Sequence, residues 1–85
     1  MNNKKEHGTN NILHEAIHTI VEDQLKGNNP KEVNETLMRL MGLGYDRHES
    51  IHKIGAVLIQ EIYWIEKNQK PYDNEHYVNK LKNIK

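Results

Sequence analysis

The chain has 85 residues, with 12 Lys and Arg balanced by 12 Asp and Glu, 35% hydrophobic residues, no cysteine and six histidines. This length allows one small domain, which buries about 60% of its extended-chain surface and leaves little room for a large enclosed active site. Neutral charge argues against a nucleic-acid partner and against a basic membrane-surface helix, both of which need a cationic footprint. The absence of cysteine excludes a disulfide scaffold, Cys-ligated zinc, an iron–sulfur cluster and a redox CxxC motif.

Residues 1–9 are charged and Asn-rich, and are expected to form a flexible tail before a single helical domain over 10–85. No apolar segment follows the tail, so a secretory signal is not expected. The longest nearly apolar stretch, Ile54 to Ile65, is interrupted by Gln60 and Glu61. It falls short of the roughly 20 residues of a membrane span. A cytoplasmic protein without a membrane partner is the expectation.

Four segments carry helical periodicity. In the first, Leu13, Ile17, Ile20, Val21 and Leu25 recur at steps of three and four and Gly27 closes the run, which predicts a helix over about 12–26. Asn29-Pro30-Lys31-Glu32 reads as N-cap, Pro at the first helical position and an early acid. A second helix follows over about 30–42, presenting Val33, Leu37, Leu40 and Met41. After the loop Gly42-Leu43-Gly44-Tyr45, Asp46 and Glu49 have the spacing of a capping box. The third helix, about 47–67, carries Ile51, Ile54, Leu58, Ile62 and Ile65 as its predicted core stripe. Pro71 follows its end, and Asp73 can cap a fourth helix bearing Tyr77, Leu81 and Ile84. No segment alternates like a strand. The predicted fold is therefore all-α, a small bundle of four helices from two helical hairpins.

The two hairpins begin alike. His14-Glu15-Ala16-Ile17-His18-Thr19-Ile20 matches His48-Glu49-Ser50-Ile51-His52-Lys53-Ile54 at five of seven positions, at an offset of 34 residues. An internal two-fold repeat would place these stretches face to face across the core, the alternative being coincidence between two short amphipathic helix starts. Each copy contains HExxH. Residues four apart on a helix lie about 40° apart around the axis and about 6 Å along it, so two imidazoles can share one metal while the Glu serves as base. A zincin protease also needs a third ligand, and the positions six after each second His are Gln24 and Leu58. With no strand to edge a substrate cleft, that activity is not expected.

On a helical wheel the histidines lie at the edge of the apolar stripe and Glu15 and Glu49 one step further toward solvent. The candidate metal ligands are therefore His14, His18, His48 and His52, with Glu15 and Glu49 as outer ligands or hydrogen-bond partners. Glu49 reads equally well as the capping partner of Asp46. Nitrogen and oxygen donors without sulfur suit a divalent transition metal: zinc, iron, manganese, nickel or copper. Four histidine ligands would close the sphere and make the ion structural. A hydrolase requires one histidine to stand apart, with water in its place. His14 and His48 also fall in the predicted first turns of their helices, where the helix dipole disfavours imidazolium and the free N–H groups could hold an anion. His7 and His76 lack spaced partners and are expected to be solvated. Trp64 is expected to cover a hairpin, a homodimer contact being the alternative. The rival function is a helical interaction or homodimerisation module with a structural histidine network and no metal. A small-molecule partner is left open.

The run Asn11-Ile12-Leu13-His14 with His18, Gln24, Pro30, His48 with His52, and then Asp73, Tyr77 and Leu81, resembles the uncharacterised bacterial family called domain of unknown function 1841. The resemblance covers about residues 10–84. It implies that the paired histidines are family features, commonly found after an additional N-terminal region, and it implies no established activity. The acid that members place before the Gln matches Asp23, on the far side from the histidine edge. Glu15 and Glu49 are not part of the family pattern, which leaves the histidines as the stronger ligand candidates.

Overall fold

A computed structural model describes the backbone of residues 3–85 and the side chains from Ile12 onward. Four helices occupy it: α1, Asn3–Gly27; α2, Lys31–Gly42; α3, Arg47–Asn68; and α4, Asn74–Asn83. Among the described residues there is no strand, and no helix is long and apolar enough to cross a membrane. The first helix starts well before the predicted position near residue 12. The tail expected over 1–9 falls where side chains lie outside the described residues.

The helix boundaries follow from local chemistry. Asp46 caps α3 by accepting from the Glu49 N–H at 2.7 Å, and Glu49 Oε1 accepts from the Asp46 N–H at 3.2 Å, completing the predicted capping box. Asp73 caps α4 through the N–H groups of Glu75 and His76. At α2 the expectation is corrected. Helical geometry starts at Lys31, and Pro30, buried and extended, occupies the N-cap without a side-chain hydrogen bond. The preceding turn is closed instead by Asn34, whose amide donates to Leu25 O at 3.0 Å and to Asn28 Oδ1 at 2.9 Å.

α1 packs on α2 and α3, and α4 packs on α2 and α3. The core joins Ile17 and Val21 of α1, Val33, Leu37 and Leu40 of α2, Ile51, Ile54, Val57 and Leu58 of α3, and Tyr77 and Leu81 of α4. Arg39 ties α2 to the end of α4 by donating to the carbonyls of Leu81 and Ile84. Four residues of the predicted apolar stripes, Leu13, Ile20, Met41 and Ile62, are about 40% exposed, while Glu61 is wholly buried. The buried stripe of α3 thus runs 51, 54, 58, 61, and α4 covers it beyond Leu58.

Gly55 sets the spacing of α1 and α3. A Cβ at this position would lie 2.9 Å from Ile17 Cγ2, so glycine permits a close approach of the two helices just beside the histidines.

Candidate metal centre

α1 and α3 run antiparallel where they meet, and their histidines interleave. Ring centroids lie 4.5 Å apart for His14 and His52, 4.8 Å for His18 and His52, and 5.6 Å for His18 and His48. Within each helix the spacings are 4.6 Å for His14 and His18 and 4.4 Å for His48 and His52. All four predicted rings therefore gather at one place. His14, His18 and His52 form the tightest group, offering one ligand atom each, all within 4.8 Å of one another. His48 packs on the side of this group. The cluster is more open than a core-boundary site, with His18 half-buried and the other three exposed.

The carboxylates are placed differently. Glu49 is engaged in the capping box, and Glu15 is exposed, with its carbonyl accepting from the Thr19 hydroxyl. Neither falls in the three-histidine group. Glu22, on the same edge, is held by Arg47 through two 2.9 Å hydrogen bonds that close the end of the cluster. This charge-assisted pairing holds the Glu22 carboxyl below its usual range.

The expectation that an anion would sit at paired helix N-termini is corrected. Since α1 begins at Asn3, His14 lies in mid-helix, and the dipole argument does not reach it. At α3 the Asp46 side chain and carbonyl already accept from the N–H groups of Glu49 and Ser50. Charge is disfavoured on His18 and His52 first by desolvation and then by the neighbouring rings. Partial desolvation, followed by repulsion from His14 and His48, lowers the pKa of His18 against an upward pull from Glu22. His52 is lowered by partial desolvation and then by His48, His14 and His18. Neutral imidazole is the ligating form. His18 Nε2 is moreover buried with no hydrogen-bond partner.

The chain belongs to the family described as Domain of unknown function (DUF1841). The family model matches residues 2–83, which takes in all four histidines, Gln24 and the whole of α4. No curated protein and no solved structure matches the chain. Several residues that carry the resemblance outside the cluster have structural roles here: Tyr77 and Leu81 are core, Pro30 is buried at the start of α2, and Asp73 caps α4.

A second polar group lies away from the cluster. His76, expected to be solvated, is half-buried with Nδ1 bonded to Glu61 Oε2, and its ring stacks on Trp64 at 4.0 Å and 19°. Trp64 therefore covers the α3–α4 hairpin. Ile62, expected in the core, is exposed and Glu61 is buried beside it, which the 51, 54, 58, 61 series of α3 could have revealed.

Proposed function

We propose that this protein binds one divalent transition-metal ion between α1 and α3, on His14, His18 and His52. The observation that carries the reading is His18 Nε2, buried without a partner among the described residues and belonging to a ring that touches His14 and His52. A buried polar nitrogen left unpaired is costly, and a shared ion removes that cost. The three rings need little movement to meet on an ion. Tetrahedral ligand nitrogens at about 2.0–2.1 Å from zinc lie roughly 3.4 Å apart. Ligand atoms within 4.8 Å reach that spacing by small rotations of side chains that are mostly exposed. Imidazole-only donors favour zinc, copper, iron or nickel; manganese, which prefers oxygen, is the weakest fit.

The pairing of the rings also supports the internal repeat. Exchanging His14 with His48 and His18 with His52 converts the His14–His52 pair, at 4.5 Å, into the His18–His48 pair, at 5.6 Å.

The test is metal analysis of untagged protein, followed by melting with and without added zinc. One ion per chain is expected. At a free-metal concentration a hundred times Kd, binding contributes about 2.7 kcal/mol. For a domain of this size, that raises Tm by roughly 10–20 °C. His14→Ala and His52→Ala, at exposed positions, should abolish the rise while leaving the metal-free Tm nearly unchanged. No uptake and no shift in Tm would sink the proposal.

A further inference from the structure

Beside the histidines lies a half-open pocket of about 160 Å³, lined by His14, His18 and His52 and by Ile17, Ile51, Gly55, Ala56 and Ile59. Its α3 wall includes two small residues, Gly55 and Ala56, and its α1 wall includes Ile17. Three of its walls are the three candidate ligands, and the rest are apolar.

Resting on the metal reading above, we infer that the ion keeps an exchangeable position and that the pocket takes a small apolar carboxylate bound to it. Three observations converge on this class. His48 stands outside the group of three ligand atoms, so three protein donors leave a tetrahedral ion one position short, the arrangement of ligand-exchanging rather than closed sites. No carboxylate lines the pocket: Glu22 is committed to Arg47 and Glu49 to the Asp46 N–H, and Glu15 is exposed outside the three-histidine group. Three neutral imidazoles leave the dication's charge uncompensated, which selects an anionic donor. The apolar remainder has the size of a single ring or a short acyl chain, since a cavity of about 150 Å³ lined by aliphatic side chains accepts benzene.

Cobalt(II) replaces zinc in such sites and reports its coordination in the visible spectrum. The experiment titrates the cobalt-loaded protein with acetate, butyrate and benzoate, in the native chain and in Ala56→Leu. Ala56 is exposed, so the larger side chain fills the pocket from its rim without entering the core. In the native protein, benzoate should change the spectrum at concentrations at least tenfold below those needed with acetate, with butyrate between. Ala56→Leu should bind cobalt and respond to acetate as before, and lose the preference for benzoate. Failure to take up cobalt overturns the metal reading and this inference together. A bound cobalt that ignores all three acids, or answers acetate and benzoate alike, overturns this inference alone. The native ligand series decides the question even if Ala56→Leu does not fold.

Discussion

The Tyr77 hydroxyl on α4 donates a 2.9 Å hydrogen bond to Gln24 Oε1 on α1 and so joins the two helices that, among the described residues, do not otherwise pack on each other. Tyr77 is fully buried, and burial pushes its phenol well above the usual tyrosine value. Tyr77→Phe keeps the ring and removes the bond, at a cost of about 1 kcal/mol. Tyr77→Ala also empties the centre of the core and should cost about 3–5 kcal/mol. The raised phenol gives a second readout. The folded state favours the protonated form, so its stability contribution is complete below pH 10 and is lost as pH rises beyond that, where the unfolded chain ionises first. Denaturant unfolding between pH 9 and 11 should show this decline in the native protein and a shallower one in Tyr77→Phe.

The histidine cluster sets the acid side. His18 and His52 have lowered pKa values in the fold, so the fold favours the neutral rings. Their contribution is complete above the unfolded value of about 6.5 and declines as pH falls through it toward the lowered folded values. Stability measured by urea unfolding should therefore drop between pH 7 and 5. The Glu22 carboxyl is also lowered, but its contribution fades only in the carboxylate range below about 4.5, so the two transitions are separable. His18→Ala combined with His52→Ala should flatten the upper window. An unchanged slope in that variant would show that the cluster does not resist protonation.

The two glutamates of the HExxH strings should behave unlike ligands. Glu49→Ala breaks the capping box and should cost about 1 kcal/mol, with metal uptake at native stoichiometry and affinity. Glu15→Ala, at an exposed position, should change neither quantity appreciably. A fall in metal affinity of tenfold or more in either variant, seen by competition with a chelator of known strength, would return that carboxylate to the coordination sphere.

The sequence made the helices legible because each carries its own punctuation: Gly27, the Asp46–Glu49 box, and Asp73. The convergence of the four histidines was legible from their i, i+4 spacing at the edges of two apolar stripes, which carry those edges together when the stripes pack. Which three share one point was not. That depends on the antiparallel register of α1 against α3, fixed by the contact of Ile17 with Gly55, a residue outside the HExxH strings. The burial of Glu61 was legible only as a position in the 51, 54, 58, 61 series, not as a carboxylate with a partner. A carboxylate enters a core only when a partner waits there, and its partner His76 comes from a separate helix whose placement local patterning does not encode.

Gly55→Ala offers a direct test of that register. Alanine improves on glycine by about 1 kcal/mol in a helix interior. Here its Cβ would meet Ile17 Cγ2 at 2.9 Å, a methyl fixed to a β-branched carbon with little freedom to turn away. Overpacking of this kind costs about 1–3 kcal/mol. The expected net result is a loss of up to about 2 kcal/mol, together with weaker metal binding as α1 is pushed from α3. A variant more stable than the native protein would mean that the helices separate freely and that glycine does not set their approach.

The Glu61–His76 pair allows the last test. Glu61 has no exposed surface, its Oε1 has no partner, and its Oε2 is bound by His76, which is itself covered by Trp64. Leaving a buried polar group without its partner costs about 1–3 kcal/mol, and more where the group is charged. His76 retains some access to solvent, so His76→Ala should fall nearer 2–3 kcal/mol. Glu61→Met removes the carboxylate while keeping a side chain of similar length, and in that background the penalty for His76→Ala should shrink to the packing loss on Trp64, about 1 kcal/mol. Urea unfolding of the four proteins in a double-mutant cycle gives the coupling directly. An equal penalty for His76→Ala in both backgrounds would show that His76 holds α4 through Trp64 alone and that the buried carboxylate does not depend on it.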